Sequence, residues 1–310
     1  MTSILRLCAF SAWLFLCGVP SAFAQGDDAA FEAARASYLA GQHAAALEIL
    51  DPMARAGHPG ARNILADAYD AGNGVDRDPQ RALDLYRAAA AQGLARASYN
   101  LGVLLTEGRP GIPADVAQAI VHYEDAMAQD YAAAFNNRGV LYTKGQGGAA
   151  DPVKAVEMFR RAHELGDLNG TDNLADMLRR GEGVAADVPR ALELWRGAAA
   201  RGHGPSINNL GAMYANGIGV ATDTQAAFAL YLLAARKGAL QAGLNLAAAF
   251  ADDVAPRHDD LRALAWCLWS QDRAPAHQTA EIAATCAVYS EILSAEDTAA
   301  ARALADTLNQ

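Results

Sequence analysis

The sequence predicts an all-α fold, a right-handed α/α solenoid of stacked antiparallel helix pairs. The main observation is a repeat of 36 or 37 residues through 61–274, marked by a small residue that follows leucine in every copy but the third. A glycine pair follows the first five copies, and an aspartate follows all six. Apolar residues lie between these positions at helical spacing. The six small residues are Ala66, Gly102, Gly139, Ala175, Gly211 and Ala247.

The first helix of each predicted unit ends at a glycine. Glycine has no Cβ and therefore adopts the left-handed conformation that closes many helices at little cost. Because the pair follows a helical pattern in each copy, we interpret it as a structural cap and not as a phosphate-binding loop. The pairs are Gly72/Gly74, Gly108/Gly111, Gly145/Gly147, Gly181/Gly183 and Gly217/Gly219.

The second helix of each unit is predicted to begin after an aspartate. An aspartate at this position accepts hydrogen bonds from the free N–H groups of the first turn. Pro79 and Pro152 directly follow their aspartates, where proline is favoured as the first helical residue. The aspartates are Asp78, Asp115, Asp151, Asp187, Asp223 and Asp259.

Two further columns predict how the helices pack. Four residues after each aspartate stands an alanine, and four residues later a bulky residue or cysteine, so helices can approach closely while rings fill the space between pairs. A lone pair cannot bury these faces, and the units must therefore stack. The alanines are Ala82, Ala119, Ala155, Ala191, Ala227 and Ala263; the second column is Tyr86, Tyr123, Phe159, Trp195, Tyr231 and Cys267.

The chain on either side of the six units predicts terminal helices. Residues 25–60 read as one helix pair that begins the stack, and residues 275–310 as two capping helices. A solenoid requires such caps, with a polar outer side. In the sixth unit Asp253 and Ala255 replace the loop glycines and Pro256 follows, so we expect a different loop path there.

Residues 1–24 have the layout of a secretory signal peptide. Arg6 precedes an apolar run over 7–19, which leads into Pro20 and the small residues Ala22 and Ala24, with cleavage expected after Ala24. The apolar run is shorter than a typical spanning helix. We therefore expect a periplasmic or secreted protein without a membrane span after signal removal.

Charge and cysteine content narrow the classes of partner. The net charge is −10, and −11 without residues 1–24, whose one charged residue is Arg6. An acidic chain without runs of Lys or Arg is not expected to bind nucleic acid or anionic membranes. Cys267 and Cys286 predict one disulfide in an exported protein, the alternative being two buried thiols. Alkylation and mass spectrometry without reductant distinguish the two; two freely labelled thiols would exclude the bridge.

The sequence lacks the common catalytic and metal-binding motifs. It contains no Gly-Lys dipeptide, hence no Walker-type loop, and no G-x-S-x-G elbow. Its histidines form no H-E-x-x-H or i, i+4 pair. We therefore predict no catalytic residue, no cofactor and no metal site. His58 and His203 follow helix-ending glycines, where a solvated or capping role is expected.

These columns together resemble the Sel1-like repeat family, longer-looped relatives of tetratricopeptide repeats. The matching stretch is "NLGAMYANGIGVATDTQAAFALYLLAARKG" (Asn209–Gly238), with the same frame in Asn100–Asp130, Asn137–Gly166 and Asn173–Gly202. Residues 25–60 resemble a shorter-looped tetratricopeptide-type pair. The resemblance implies a non-enzymatic scaffold or regulator that binds a protein or peptide partner in the cell envelope.

The alternative function is a β-lactam-recognising or hydrolysing enzyme. One branch of the family, exported and rich in cysteine, is linked to penicillin binding and β-lactam hydrolysis. That branch carries a cysteine pair in nearly every repeat, whereas the first five repeats here contain none. The chain also lacks a Ser-x-x-Lys motif, so we favour the scaffold.

Two polar columns predict a peptide-binding groove. The first helices line the inner face of such a solenoid, and an asparagine stands two residues before the small residue in five units. Its amide is both donor and acceptor, so a spaced row can hold the backbone of an extended peptide. The predicted groove residues are Asn100, Asn137, Asn173, Asn209 and Asn245, with Asn136, Asn208 and Asp172 from the preceding column.

The asparagine row has charged neighbours, and its amides also have an alternative role. Asp67, Arg96 and Asp176 are neighbouring positions that add charge to the predicted groove. The alternative for each asparagine is a structural role, in which its amide bonds a neighbouring helix or loop. The two roles can coexist in one residue.

Overall fold

The computed structural model describes residues 25–251, 259–276 and 278–308, and in these residues the backbone forms sixteen α-helices and no β-strand. The predicted all-α class is therefore confirmed. The predicted signal peptide and the loop with Asp253, Ala255 and Pro256 lie outside the described residues. The chain divides into two compact units, residues 1–97 with 110–112 and residues 98–109 with 113–310.

The first unit contains four helices, of which α1 packs on α2, α2 on α3 and α3 on α4. Leu47, Leu50, Ile64 and Leu65 form its buried centre. The pair predicted before residue 61 is therefore represented by two packed helices. The helices are α1 Gln25–Leu39, α2 His43–Arg55, α3 Pro59–Ala71 and α4 Pro79–Ala90.

The second unit holds the remaining helices, with α5 beginning just before it. Successive helices from α6 to α15 pack on one another, and α16 packs on α14. Their bounds are α5 Ala95–Glu107, α6 Val116–Met127, α7 Ala132–Lys144, α8 Pro152–Glu164, α9 Leu168–Arg180, α10 Val188–Ala200, α11 Gly204–Asn216, α12 Thr224–Arg236, α13 Leu240–Ala251, α14 Asp260–Arg273, α15 Thr279–Ser290 and α16 Ala295–Leu308.

The predicted helix caps are confirmed. Each of the six aspartates accepts a hydrogen bond from the backbone N–H three residues later, at the start of α4, α6, α8, α10, α12 and α14. Five of the described helices are followed directly by a left-handed glycine, namely Gly72, Gly108, Gly145, Gly181 and Gly217. Local chemistry therefore sets both boundaries of the inter-helix loops.

The two packing columns occupy the core. All six column alanines have zero exposure, and every member of the bulky column is buried. A Cβ on Gly211 would lie 2.7 Å from Cε1 of Tyr231, so the ring packs directly on the glycine of its partner helix. The small residue is thus required by the neighbouring ring as well as by helix spacing.

The C-terminal helices attach to the stack through α14. The structure joins Cys267 of α14 to Cys286 of α15 as a disulfide, with a Cα–Cα distance of 5.5 Å. Both cysteines lie in a buried cluster with Leu264, Ile282 and Ala301. The bridge closes a sequence separation of 19 residues, and a closed loop of that order stabilises a fold by about 3 kcal/mol.

Candidate functional site

A polar pocket lies where the first helices of two successive repeats meet the aromatic ring of a second helix. We call it the α9–α11 pocket, and it has a volume of about 350 Å³. Trp195 of α10 stands between the two helices. Three of the predicted groove residues belong to it. The lining residues are Asp172, Asn173, Asp176, Arg179, Arg180, Trp195, Asn209, Ala212, Met213, Asn216 and Ile218.

A second pocket repeats this arrangement two repeats earlier. We call it the α5–α7 pocket, and its volume is about 340 Å³. Tyr123 takes the position of Trp195, and Asn137 takes that of Asn209, each 72 residues earlier. The lining residues are Val103, Thr106, Glu107, Tyr123, Asn137, Val140, Leu141, Lys144 and Gln146. The pockets are therefore copies of one feature of the repeat.

The asparagine row joins four of the predicted units, the third to the sixth, to the unit before each. Asn173 Nδ2 donates to Asn136 Oδ1 at 2.8 Å, and Asn245 Nδ2 donates to Asn208 Oδ1 at 2.7 Å. Asn137 Nδ2 lies 3.4 Å from the hydroxyl of Tyr99, one repeat back. We call this row of contacts, together with Asn209 to Asp172, the asparagine ladder.

The ladder separates the predicted site residues into two groups. Asn136 and Asn208 are only 8% and 5% exposed and line neither pocket, so their amides act within the fold. Asn100 and Asn245 are half-buried and also lie outside the two pockets. The residues that combine a ladder contact with a place on a pocket wall are Asn137, Asn173, Asn209 and Asp172.

Asp172 is a half-buried carboxylate of the α9–α11 pocket that two neighbouring side chains hold by hydrogen bonds. Its Oδ1 accepts from Ser206 Oγ at 2.8 Å and from Asn209 Nδ2 at 3.0 Å, and its Oδ2 lies 3.2 Å from the same amide nitrogen. Burial raises the pKa of Asp172, while the Ser206 bond, His203 and Asn209 lower it in part. The indole N–H of Trp195 also lowers this pKa, although its geometry falls short of a hydrogen bond.

His203 extends the Asp172 network away from the groove. Its Nδ1 lies 2.8 Å from Ser206 Oγ, and its Nε2 lies 3.2 Å from Asn169 Oδ1. Burial lowers the pKa of His203 and so favours the neutral ring. The expected capping role is correct for His58, whose Nδ1 accepts a hydrogen bond from Ala61 N at 3.1 Å. His203 makes no side-chain cap, and its ring nitrogens contact Ser206 and Asn169 instead of solvent alone.

The pH dependence of stability tests the environment of Asp172. Because the folded-state pKa is raised above 3.8, the folded chain binds this proton more tightly than the unfolded chain. Stability contributed by the protonated group is present at acid pH and is lost as pH rises through the raised pKa. We therefore expect Asp172→Asn to gain in free energy of unfolding relative to wild type between acid and neutral pH.

The measurement is urea unfolding of both proteins over a pH series, with the exposed Asp306→Asn as matched control. A difference between wild type and Asp172→Asn that does not change with pH would contradict the assignment. The neutral amide can still accept from Ser206, so the two proteins remain comparable.

The basic side of the α9–α11 pocket lies outside the residues predicted from the sequence. Arg179 and Arg180 both pair with Asp176, at 2.6 Å and 2.9 Å, and their side chains are 29% and 50% exposed. They stand four and five residues after the small residue Ala175. The repeat frame could have located them, because Thr106 and Glu107 hold the same places in the α5–α7 pocket.

The described residues hold neither a cluster of metal ligands nor a membrane-spanning helix. No group of three or more His, Cys, Asp or Glu side chains in those residues is placed to hold a metal ion. Among the described helices, none combines the length and apolar character that crossing a membrane requires.

The helices stack in pairs, the first helix of a pair ends at a glycine, and a pocket recurs between the pairs. These features define a helical-repeat protein. The Sel1 repeat model matches residues 59–94, 95–131, 132–167, 172–203 and 204–238, and the chain belongs to the Sel1 repeat family. Proteins of this family are generally protein–protein interaction scaffolds. The match does not extend to α13 and α14, so the sixth repeat stays a prediction.

Solved structures with the same fold include three bacterial proteins. A Sel1 repeat protein from Oxalobacter formigenes is 26% identical with a TM-score of 0.66, covering 78% of this chain and 96% of its own. A protective antigen present in uropathogenic Escherichia coli strains, displaying an SLR fold, is 24% identical with a TM-score of 0.68; the match covers 91% of this chain but only 60% of the antigen.

The third is the immunity protein Pa5087 from Pseudomonas aeruginosa, 19% identical with a TM-score of 0.51 over 81% of this chain and 82% of that protein. No functionally curated protein matches the sequence. At these identities the last two structures support the fold alone.

Proposed function

We propose that this chain is an exported, non-enzymatic scaffold or regulator of the cell envelope that holds a segment of a protein partner along its groove. The family role supports the general class. The observation that carries the binding mode is the recurrence of one pocket in register, between α5 and α7 and again between α9 and α11. Pockets repeated along a helical stack suit an extended chain that contacts several repeats in turn.

The composition of the pocket walls also suits a peptide backbone. Asn173 and Asn209 use their amide N–H groups in the asparagine ladder, which leaves their Oδ1 atoms as acceptors toward the groove. Met213 and Leu141 supply apolar surface at equivalent positions in the two pockets. Polar groups fixed by intramolecular bonds lose little freedom when they bind a partner.

A steric block tests the groove without breaking the ladder. Ala212→Trp and Val140→Trp place a ring on the wall of each pocket, while Ala229→Trp and Val121→Trp add the same ring at exposed positions of α12 and α6. We expect wild type and the control pair to capture the same crosslinked envelope protein, and the blocked pair to lose it.

The comparison requires that all variants retain the helical circular dichroism spectrum of wild type. Equal capture by the blocked and control pairs would end the groove proposal. The envelope location has its own test: the mature N-terminus of the exported protein should begin after Ala24, as read by N-terminal sequencing of the periplasmic fraction.

The non-enzymatic part of the proposal is tested with a fluorescent penicillin. The one serine of the α9–α11 network, Ser206, is fully buried, so a β-lactam cannot reach its hydroxyl in the folded protein. We expect no covalent labelling of the purified protein. Labelling that survives denaturation would instead favour the β-lactam-recognising alternative.

A further inference from the structure

The carboxylates of the α9–α11 pocket already have partners within the protein. Asp176 Oδ1 accepts from Arg179 Nε at 3.0 Å and from Arg179 Nη2 at 2.6 Å, and its Oδ2 lies 2.9 Å from Arg180 Nε. Asp172 accepts from Ser206 and Asn209. Neither carboxylate is therefore the main site for a cationic ligand.

The donors of the same pocket retain binding capacity. Each guanidinium carries five N–H groups, and the contacts to Asp176 use only part of them. Arg180 Nη1 lies 3.6 Å from Glu182 Oε1, beyond hydrogen-bond distance. Trp195, which is 1% exposed, adds an indole N–H without a well-formed hydrogen bond. Asp176 thus holds both guanidinium groups in place, and Glu182 adds a long ion pair to Arg180, while several N–H groups of each guanidinium stay available.

The α5–α7 pocket shows the same imbalance with other residues. Lys144 occupies the position of Asn216, is exposed, and has no ion-pair partner among the described residues. The acidic member of that pocket, Glu107, is paired with Arg109 at 2.8 Å. Cationic donors therefore line both pockets, although the whole chain carries a net charge of −10.

We propose that the groove selects an acidic segment of its protein partner, with one carboxylate bound by Arg179 and Arg180 and a second by Lys144. The inference rests on the proposed function, because it names the chemistry of the segment that the groove holds. A guanidinium fork binds a carboxylate in two parallel hydrogen bonds, and Asp176 already fixes both forks. The acidic remainder of the surface repels the same segment and so favours the groove.

The test is selection of a phage-displayed random dodecapeptide library on the purified protein. We expect enriched peptides to carry Asp or Glu at two fixed positions in wild type. The double variant Arg179→Gln with Arg180→Gln should lose one of these acidic positions and keep the other, which Lys144 binds. The matched control, Arg190→Gln with Arg196→Gln, removes the same charge from exposed positions of α10 and should keep both.

The possible results separate the two proposals. Enrichment without an acidic position, or both acidic positions retained by the double variant, overturns this inference and leaves the groove intact. No enrichment in wild type above a blank resin counts against the groove itself.

A second measurement does not depend on the folding of a variant. An enriched acidic peptide is compared on wild-type protein with its copy in which Asp and Glu are replaced by Asn and Gln. We expect about tenfold weaker binding of the amide copy, the size of one charge-assisted hydrogen bond, and weaker binding of the acidic peptide as salt is raised. Equal affinities would refute the inference.

Discussion

Replacing Trp195 by alanine is expected to lower the free energy of unfolding by about 3–5 kcal/mol, the usual cost of removing a large buried ring. The side chain is 1% exposed and belongs to a cluster with Leu174, Met177, Leu192 and Met213. These residues come from α9, α10 and α11, so the cavity opens between two successive repeats. Rigid helices cannot close such a gap without losing other contacts.

Urea unfolding followed by circular dichroism measures the effect, and Trp195→Phe is the matched variant. Phenylalanine stands in the same column at Phe159, so it keeps most of the apolar contact and should cost clearly less than alanine. It also removes the indole N–H from the α9–α11 pocket. If alanine and phenylalanine cost the same, the ring would not carry the packing assigned to it.

Replacing Gly183 by alanine is expected to cost about 2–5 kcal/mol, from left-handed strain and from overpacking. Its φ is +70°, and an added Cβ would collide with the backbone carbonyl of Pro152 and lie 2.8 Å from Val153 N. Those atoms begin α8 in the preceding repeat. A backbone at a helix start cannot move aside as the end of a flexible side chain would.

Gly197→Ala is the control for this prediction. Gly197 lies inside α10, is exposed, and has nothing within 4 Å of an added Cβ. Alanine there should stabilise the protein by about 0.5–1 kcal/mol through its higher helix propensity. The midpoints of thermal and urea unfolding should therefore fall for Gly183→Ala and rise for Gly197→Ala. A shift in the same direction for both variants would show that the close approach at Gly183 is not the cause.

The helix boundaries could be predicted from the sequence because their causes are local. Asp187, for example, caps α10 through the N–H of Arg190, three residues away, and Gly181 closes α9 by its own backbone conformation. Neither needs a distant partner. The repeat of 36 or 37 residues then shows that the same local solution recurs, which is why the family and the all-α class were both predictable.

The candidate site could be predicted only in part. Asn137, Asn173, Asn209 and Asp172 do line pockets, yet the groove proposal had to include Asn136 and Asn208 as well, which are buried. Asn136 and Asn208 accept hydrogen bonds from asparagines 37 residues later, in the next repeat. A single sequence shows that both columns are polar but does not show which one faces the groove.

The sequence by itself determined the helices, their caps, the order of the repeats and the membership of the family. Only the tertiary structure decided what the second glycine does in three of the pairs. Gly147, Gly183 and Gly219 have positive φ, but each also lies against the second helix of the preceding repeat, where a Cβ would meet Ile120, Pro152 or Val188. Stacking also joined Arg179, Arg180 and Trp195 into one pocket with Asn209. Such contacts depend on the distance between repeats, which packing sets and local sequence does not.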